Sequence, residues 1–397
     1  MAKLFELDLL NVRAGALPAK RSYNDACAKL SPEIIYQQIE ISHQYEYESN
    51  GQTFHNLKVL IPDGTKISIS NTLATREKYG PGQGHYVQTQ ALGFYELSTG
   101  TFEDFKFEHS TSSERSIALQ HMEANQIRSL YLSDAGYNGM AFIALCVESG
   151  HELLMQLKNC DLPKKFLKSG KRSEIQSFTL NKNHLRNYPD DQHLLGQTLT
   201  VRLVRTRGTS KLRSQVLITT LIDEKAYRWQ ELAILYRQRY SVELAFRHLK
   251  KTIGIEGIRK RKLQRIEQLL FAAIVLFNLS AALRNRIRKP HILPEKAGIK
   301  LHCFTLCIEL VHVFIQAAQK PVYGSKKKMN QSLKAIKACW FIYKPWRAEP
   351  RICHTPPSPF SVQKGTEMLR EEKRAEFLTI EYEILAEKYG QMKAKCA

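Results

Sequence analysis

The order of strand-like and helical segments early in the chain most constrains its fold. Residues 55–70 (HNLKVLIPDGTKISIS) and 87–109 (VQTQALGFYELSTGTFEDFKFEH) each predict two strands, joined by turns at Pro-Asp-Gly and Ser-Thr-Gly. A helical stretch follows at 112–127, and a short apolar segment, SLYLSD, ends at Asp134. Strands followed by a helix and one further strand predict a mixed α/β sheet with helices covering it.

A second informative stretch is 235–254, LYRQRYSVELAFRHLKKTIG, which has a helical period. At about 100° per residue, one polar stripe forms from Tyr236, Arg239, Glu243, Arg247 and Lys250. The other side is apolar, so the helix is predicted to pack on a core and to present its stripe outward. One interpretation is a solvated face with i, i+4 ion pairs. The other is a metal site beside a bound polyanion, which explains a single carboxylate among three cations and a tyrosine.

The charge balance indicates what that polyanion is. The 397 residues include 59 Lys and Arg against 38 Asp and Glu, for a formal net charge of +21. Because 43% of the residues are hydrophobic, the chain is globular rather than a disordered basic tail. We therefore predict a polyanionic partner, with a nucleic acid as the leading candidate.

A membrane surface is the alternative polyanion, and the sequence argues against it. The best apolar run, 269–283, has too few residues to span a bilayer and predicts a buried helix. The N-terminal residues have no signal-peptide core, so we expect a cytoplasmic, nucleoid-associated protein. The eight cysteines form no CxxC pair and predict reduced thiols. Cys303 and Cys307 near His302 suggest a metal site, but their helical spacing favours a place in the core.

Two acidic residues are notable because of their positions. Asp63 follows the apolar run VLIP and Asp134 follows SLYL, so both are predicted at strand ends. Each alone is explained as a turn former. Together with Glu243 on a helix packed over the sheet, they supply three hard oxygen ligands, which favour Mg²⁺ or Mn²⁺ over zinc. Two such ions about 3.5–4 Å apart would hold both oxygens of an in-line phosphoryl transfer.

These residues carry a family resemblance. Tyr236, Arg239, Glu243 and Lys250 match the Y-x2-R-x3-E-x6-K signature of bacterial insertion-sequence transposases with a DDE active site. Asp63 in PDGT and Asp134 in SDAGY resemble the first and second aspartates of that family. The resemblance implies a metal-dependent enzyme, in which Asp63, Asp134 and Glu243 are catalytic and hold the metal. It also implies that Tyr236, Arg239, Arg247, Lys250 and Lys251 contact DNA.

The resemblance also implies a fold and a domain plan. The fold is a ribonuclease H-like mixed sheet with flanking helices, interrupted by a β-rich insertion domain. The predicted order is a short N-terminal region (1–55), the first core part (56–150), the insertion (151–226), the second core part with the Glu helix (227–290) and a C-terminal helical region (291–397). In the insertion, the alternation around Arg202 predicts a half-exposed strand that carries its cations outward. Its basic residues predicted nearest DNA are Lys164, Lys165, Lys168, Arg202, Arg205 and Arg207.

The predicted function is cut-and-paste transposition by a homo-oligomer that acts on terminal inverted repeats and target DNA. Two alternatives stay open. One is a catalytically silent DNA-binding protein derived from a transposase, because only about 60 residues precede Asp63 and the stretch RAEPRICHTPPSPFSVQKG resembles the family's C-terminal basic motif only up to Arg351. The other is a stand-alone metal-dependent nuclease.

Overall fold

The structure is a computed structural model of the chain. It describes residues 25, 27–80, 87–157, 161–206, 215–287, 300–302, 304, 307–308, 311, 334 and 340–342. Contacts divide the chain into a large unit, Met1–Lys296 with Lys300–Phe341, and a smaller one, Ala297–Ile299 with Ile342–Ala397. The central sheet and all of the helices named below lie in the large unit. Arg207, Cys303 and most of the predicted C-terminal region 291–397 lie outside the described residues.

The elements alternate between strands and helices. The strands are β1 (Lys58–Ile69), β2 (Val87–Glu96), β3 (Thr101–Glu108), β4 (Ser129–Ser133), β5 (Glu152–Gln156), β6 (Ser173–Thr179), β7 (Thr198–Arg205), β8 (Val216–Thr219), β9 (Lys300–His302) and β10 (Trp340–Ile342). The α-helices are α1 (Pro32–Asn50), α2 (Leu73–Tyr79), α3 (Glu114–Ala124), α4 (Met140–Glu148), α5 (Asp161–Lys168), α6 (Trp229–Arg237), α7 (Ser241–Arg247) and α8 (Leu263–Ile287).

The first eight strands form one mixed sheet in the order β3-β2-β1-β4-β5-β8-β7-β6, and β9 pairs with β10 separately. Strand β1 is antiparallel to β2 and parallel to β4, and β4 is parallel to β5. Helices lie against this sheet, so the predicted mixed α/β class is confirmed. Three antiparallel strands followed by two parallel ones are the ribonuclease H-like arrangement that the family resemblance implied.

The predicted hairpin at 55–70 is wrong, because this segment is one continuous strand, β1. Asp63 lies in the middle of the strand and is level with Gly93 of β2. A proline is tolerated at Pro62 because β1 pairs with β4 only from Lys58 to Leu60. Beyond that point β2 is the only ladder partner of β1 among the described strands, and such an edge accepts a residue that lacks an N–H group.

The strands within 151–226 join the central sheet rather than forming a sheet of their own. Strand β8 pairs with β5, and β7 and β6 continue outward from it. The outward orientation predicted for Arg202 is wrong, because its side chain is only 1% exposed. It donates to the Tyr227 carbonyl oxygen at 2.6 Å and to Ser173 Oγ at 2.7 Å. These bonds tie the buried Arg202 of β7 to neighbouring segments, so its role is structural. The domain bounds predicted for the insertion, 151–226, stay a prediction.

Apolar residues fill both faces of the sheet. Helices α1, α6, α7 and α8 contribute to the core on one face, and α3, α4 and α5 to the core on the other. Helix α8 is long and apolar enough to cross a membrane, judged by length and composition alone, but 56% of its most apolar window is buried inside the protein. Its Asn278 accepts from Phe102 N and donates to Phe102 O, both at 2.8 Å, and so protects the outer edge of β3.

Candidate active site

The parallel pairing of β1 with β4 positions the two candidate aspartates. Their register ends with Leu60 opposite Tyr131. Asp63 lies three residues after Leu60, and Asp134 lies three residues after Tyr131, just past the end of β4. Continuing the register therefore brings the two aspartates level with each other. The ladder between β1 and β4 stops before this point, and the two strands no longer share hydrogen bonds there. The aspartates therefore flank the place where the strands separate.

Local hydrogen bonds hold each aspartate in place. Asp134 caps a 3-10 turn at Ala135–Tyr137, and its Oδ1 accepts from Gly136 N at 2.7 Å. Asp63 Oδ1 accepts from Gly64 N at 3.1 Å. Both residues are half-buried. Of the described groups, none donates a hydrogen bond to the second oxygen of either carboxylate.

Several charged groups influence the pKa of Asp63. Its pKa is raised to about 7, mainly by burial and also by the nearby negative charges of Asp134 and Glu114, while the Arg239 guanidinium opposes the shift. A carboxyl with this pKa binds a proton near neutral pH unless a positive charge replaces that proton. Asp63 therefore lies in a partly dehydrated environment in which the charges of Asp134, Glu114 and Arg239 act on it.

Tyr236 and Arg239 face this site rather than solvent, so the prediction of a wholly outward stripe is wrong. Tyr236 is 3% exposed, and its hydroxyl donates to the carbonyl oxygen of Ser133 at 3.2 Å. Arg239 is 8% exposed and donates through Nη2 to Glu243 Oε1 at 3.1 Å. The stripe begins against the sheet because α6 ends in a 3-10 turn, Gln238–Tyr240, before α7 begins. A uniform 100° rotation does not describe such a segment.

The later residues of the stripe turn progressively toward solvent. The Glu243 side chain is 43% exposed, and Arg247 and Lys251 are exposed. Lys250 lies on a π-helical turn, His248–Ile253, and donates to the carbonyl oxygen of Lys66 at 2.7 Å. The structure thus brings Tyr236 and Arg239 to the aspartates and links Glu243 to them through Arg239. It leaves Arg247 and Lys251 on the surface.

The donor chemistry of the site fits a hard divalent cation. Asp63 and Asp134 offer only oxygen donors, the type that Mg²⁺ and Mn²⁺ prefer. Within the described part of the chain, however, no group of three His, Cys, Asp or Glu side chains is close enough to hold an ion. The position of Glu243 explains this, because its carboxylate pairs with the Arg239 guanidinium. The two aspartates supply donors of the right type, whereas Glu243 would have to leave the Arg239 guanidinium to join them.

Glu114 is the one acidic residue of the site that the sequence did not indicate. It is the first residue of α3, and its Oε1 accepts from Gln90 Nε2 at 2.8 Å. The only sequence signal is its place after Ser113 at a helix start, where acidic residues are common for reasons of helix stability. Such a signal does not separate a helix-stabilising glutamate from a functional one.

Comparisons with known proteins identify the family of this chain. The family model described as "Transposase DDE domain" matches residues 55–279. The transposase InsG for insertion sequence element IS4, from Escherichia coli (strain K12), is 24% identical over 209 residues, which is 51% of this chain and 46% of that protein. The chain thus spans about half of the length of this curated relative.

A solved structure is also similar, though distantly. It is the cryo-EM structure of the piggyBac transposase synaptic complex with hairpin DNA, which has 8% sequence identity and a TM-score of 0.38. The match covers 74% of this chain and 59% of that one, a likeness too distant to support an inference about function. The family model, by contrast, covers more than half of the chain and includes both aspartates and the whole helical stripe. The chain belongs to the family of transposase DDE domains.

Proposed function

We propose that this protein is a DNA transposase that cuts DNA strands at the ends of an insertion sequence and joins them to target DNA. One observation carries the proposal: in a chain of this family, the register of β1 and β4 brings Asp63 and Asp134 level at a partly buried site beside Arg239. Acidic side chains held together away from water are costly unless a cation joins them. That arrangement is expected of a metal-dependent phosphoryl-transfer site and not of a purely structural sheet edge.

Asp63, Asp134 and Glu243 would hold Mg²⁺ or Mn²⁺, with two ions when the site is complete. When bound, such ions supply an activated oxygen nucleophile and stabilise the leaving oxygen. Asp63 has to release the proton that its raised pKa favours before it acts as a ligand. Arg239 holds Glu243 on the open side of the site, and its planar guanidinium suits a phosphate oxygen once Glu243 moves. Tyr236 positions Asp134 through its bond to the preceding residue.

The partner would be double-stranded DNA, both the terminal inverted repeats of the element and the target. Exposed basic side chains near the site and on α5 would contact the backbone without reading sequence. They are Arg247, Lys251, Lys164, Lys165 and Lys168. Lys250 would reach the phosphates beside Asp63, since it already contacts β1 at Lys66. The protein would act as a homo-oligomer in the bacterial cytoplasm, associated with the nucleoid.

The test is cleavage of supercoiled plasmid that carries the DNA flanking the reading frame, with Mg²⁺ present. We expect nicking and linear product, followed by joining of the cut ends to a second plasmid. Asp63→Asn and Asp134→Asn should abolish both reactions, whereas Asp190→Asn, a change at an exposed aspartate in a turn, should leave them unchanged.

The pairing of Glu243 with Arg239 favours a second candidate, a DNA-binding protein without catalysis, because it keeps the third carboxylate away from the aspartates. Specific binding to the flanking DNA with no cleavage at any Mg²⁺ or Mn²⁺ concentration would support this candidate and refute the first. Cleavage without joining would support a stand-alone nuclease.

A further inference from the structure

The direction of the Asp134 side chain depends on a short turn whose own hydrogen bonds are weak. Within the 3-10 turn Ala135–Tyr137, the Tyr137 N–H donates to the Asp134 carbonyl at 3.3 Å, and the next amide donates at 3.4 Å. Both distances are longer than a typical N–H···O bond. The bond that fixes the carboxylate is short, from Gly136 N to Asp134 Oδ1 at 2.7 Å. The carboxylate is therefore oriented only as well as the Gly136 backbone is held.

Gly136 lies too close to the carboxylate for the two to move independently. A Cβ atom built on Gly136 would lie 2.7 Å from Asp134 Oδ1, well below contact distance. Gly136 does not have the positive φ that favours glycine elsewhere in the chain, so close approach explains its presence. Any shift of this backbone would therefore displace the Asp134 carboxylate.

Arg115 holds the Gly136 backbone from a different element. It is the second residue of α3 and is half-buried. Its guanidinium donates twice to the carbonyl oxygen of Gly136, from Nε at 2.9 Å and from Nη2 at 2.6 Å. Two donors of one rigid, planar group fix the direction of the carbonyl as well as its distance. Gly136 thus donates to Asp134 through its N–H group and accepts from Arg115 through its carbonyl oxygen.

The connection between β6 and β7 supports Arg115 in turn. Tyr188 of this connection is partly buried and packs on the core beneath α3 and α4. Burial raises the pKa of Tyr188, whereas the charge of Arg115 and a hydrogen bond with its side chain oppose the shift. The same connection is attached to α4 by His193, whose Nε2 lies 2.9 Å from Glu148 Oε1. Arg115 therefore lies between a fixed part of the fold and the turn of Asp134.

We infer that Arg115 is a positioning residue, which holds the turn so that the Asp134 carboxylate keeps one direction toward a divalent cation. The inference rests on the proposed function for the identity of the ligand, and adds to it a residue outside the aspartates and the helical stripe. The sign of its effect distinguishes position from charge. A nearby guanidinium repels a cation, so charge alone would weaken cation binding, whereas positioning strengthens it.

The test is a titration of the full chain with Mn²⁺, followed by the electron paramagnetic resonance signal of the free ion. Arg115→Lys keeps the positive charge but cannot place two donors on one oxygen, and we expect Mn²⁺ affinity to fall about tenfold. Tyr188→Phe removes only the hydrogen bond that supports Arg115 and should lower affinity less. The matched control is Arg128→Lys, the same change at an arginine just before β4 that is 65% exposed, and affinity should be unchanged there.

Unchanged Mn²⁺ affinity in folded Arg115→Lys would overturn the inference, as would a wild-type protein that binds no Mn²⁺. A purely structural role would lower the urea midpoint of this variant and leave the Mn²⁺ affinity of its folded form unchanged. If Arg115→Lys does not fold by circular dichroism, Arg115→Gln decides in its place. Affinity should fall there too, and an unchanged or raised affinity would leave only the charge effect and overturn the inference.

Plasmid cleavage measured in parallel separates the two proposals. A wild type that binds Mn²⁺ but never cuts DNA, with reduced affinity in Arg115→Lys, refutes the proposed function alone. A wild type that cuts DNA, with full Mn²⁺ affinity and an unchanged cleavage rate in Arg115→Lys, refutes the positioning role alone.

Discussion

The separating strands β1 and β4 and the helical segment from α6 to the π-helical turn contribute to the same site in different ways. The strands bring Asp63 and Asp134 level because their paired register ends three residues earlier. Along the helical segment, the residues of the polar stripe become more exposed, from the buried Tyr236 to the exposed Arg247. A sheet register fixes positions across two strands, whereas a stripe along a helix depends on rotation that accumulates at every turn. If the proposed function holds, the strand side of the site needs no change of position to act, whereas Glu243 on the helix side has to leave Arg239.

The largest effect is expected from the strand side. Asp63→Ala or Asp134→Ala should lower the rate of strand cleavage by more than about 10³-fold, because residues that act as one unit fail together. The double variant should be no slower than either single one, and DNA affinity should change little. The measurement is single-turnover cleavage of a labelled duplex, with filter binding as the control for affinity. Cleavage that survives either change would show that the pair of aspartates is not the centre of the reaction.

A substantial but smaller effect is expected where the two regions meet. Arg239→Lys keeps the positive charge near Asp63 but loses the planar group that donates to Glu243. We expect cleavage to fall by about 10²-fold. Stability should also fall, by about 1–3 kcal/mol, because Arg239 is buried and lysine cannot reproduce its hydrogen bonding.

The matched control for this change is Arg237→Lys, at an exposed arginine on α6. Cleavage and urea denaturation should both be unchanged there. Normal cleavage by Arg239→Lys would mean that the Arg239–Glu243 pair only stabilises the helix, as the solvated-face interpretation holds.

The sequence correctly predicted which face of the helical region is buried, but it did not predict that part of the polar stripe faces the sheet. All six apolar residues of the opposite side are buried: Leu235, Val242, Ala245, Phe246, Leu249 and Ile253. Amphipathic spacing was sufficient because burial of one face is a local property of a helix. The inward turn of Tyr236 was not predictable, since it depends on where the sheet lies and on the 3-10 turn after α6.

The strand side shows the opposite balance. The two aspartates were recognised, but the segment around Asp63 was predicted as a hairpin because Pro-Asp-Gly is a strong local turn signal. Pairing with β2 along ten residues overrides that signal. Glu114 was not predicted at all, because its proximity to Gly64 is a contact between elements distant in sequence. The local sequence pattern therefore indicated which residues are chemically suited to an active site. The pairing of elements distant in sequence decided which of those residues lie close together.

The raised pKa of Asp63 gives the strand side a pH signature that the helix side lacks. The folded state keeps this proton up to about pH 7, whereas an unfolded chain loses it near pH 4. Between these values the folded protein binds more protons, so this residue makes stability fall as pH rises. Asp63→Asn, which cannot ionise, should therefore stabilise the protein above pH 7 by about 1–3 kcal/mol and have little effect near pH 4.

Urea denaturation across this pH range, compared with Asp190→Asn, tests the expectation. A cation bound at Asp63 should reverse the sign at high pH, because it stabilises the ionised form of the wild type only. An Asp63→Asn effect that does not vary with pH would show that the carboxyl has an ordinary pKa. The strand side would then lack the buried electrostatic coupling that distinguishes it from the helix.

The smallest effect is expected at the outer end of the helical segment. Arg247 and Lys251 are exposed, and their proposed role is to bind phosphates, so replacing both by Gln should weaken DNA binding equally for all sequences. Each duplex phosphate that is no longer neutralised should reduce the slope of log affinity against log salt by about 0.9, with no change in thermal stability. The charge-matched control is Lys182→Gln with Arg186→Gln, two exposed cations outside the proposed DNA track. If both double variants lower the slope equally, the effect is one of net charge alone, and the outer helix is a solvated face. A larger decrease for Arg247 and Lys251 would show that one helical segment serves catalysis at its buried end and DNA binding at its exposed end.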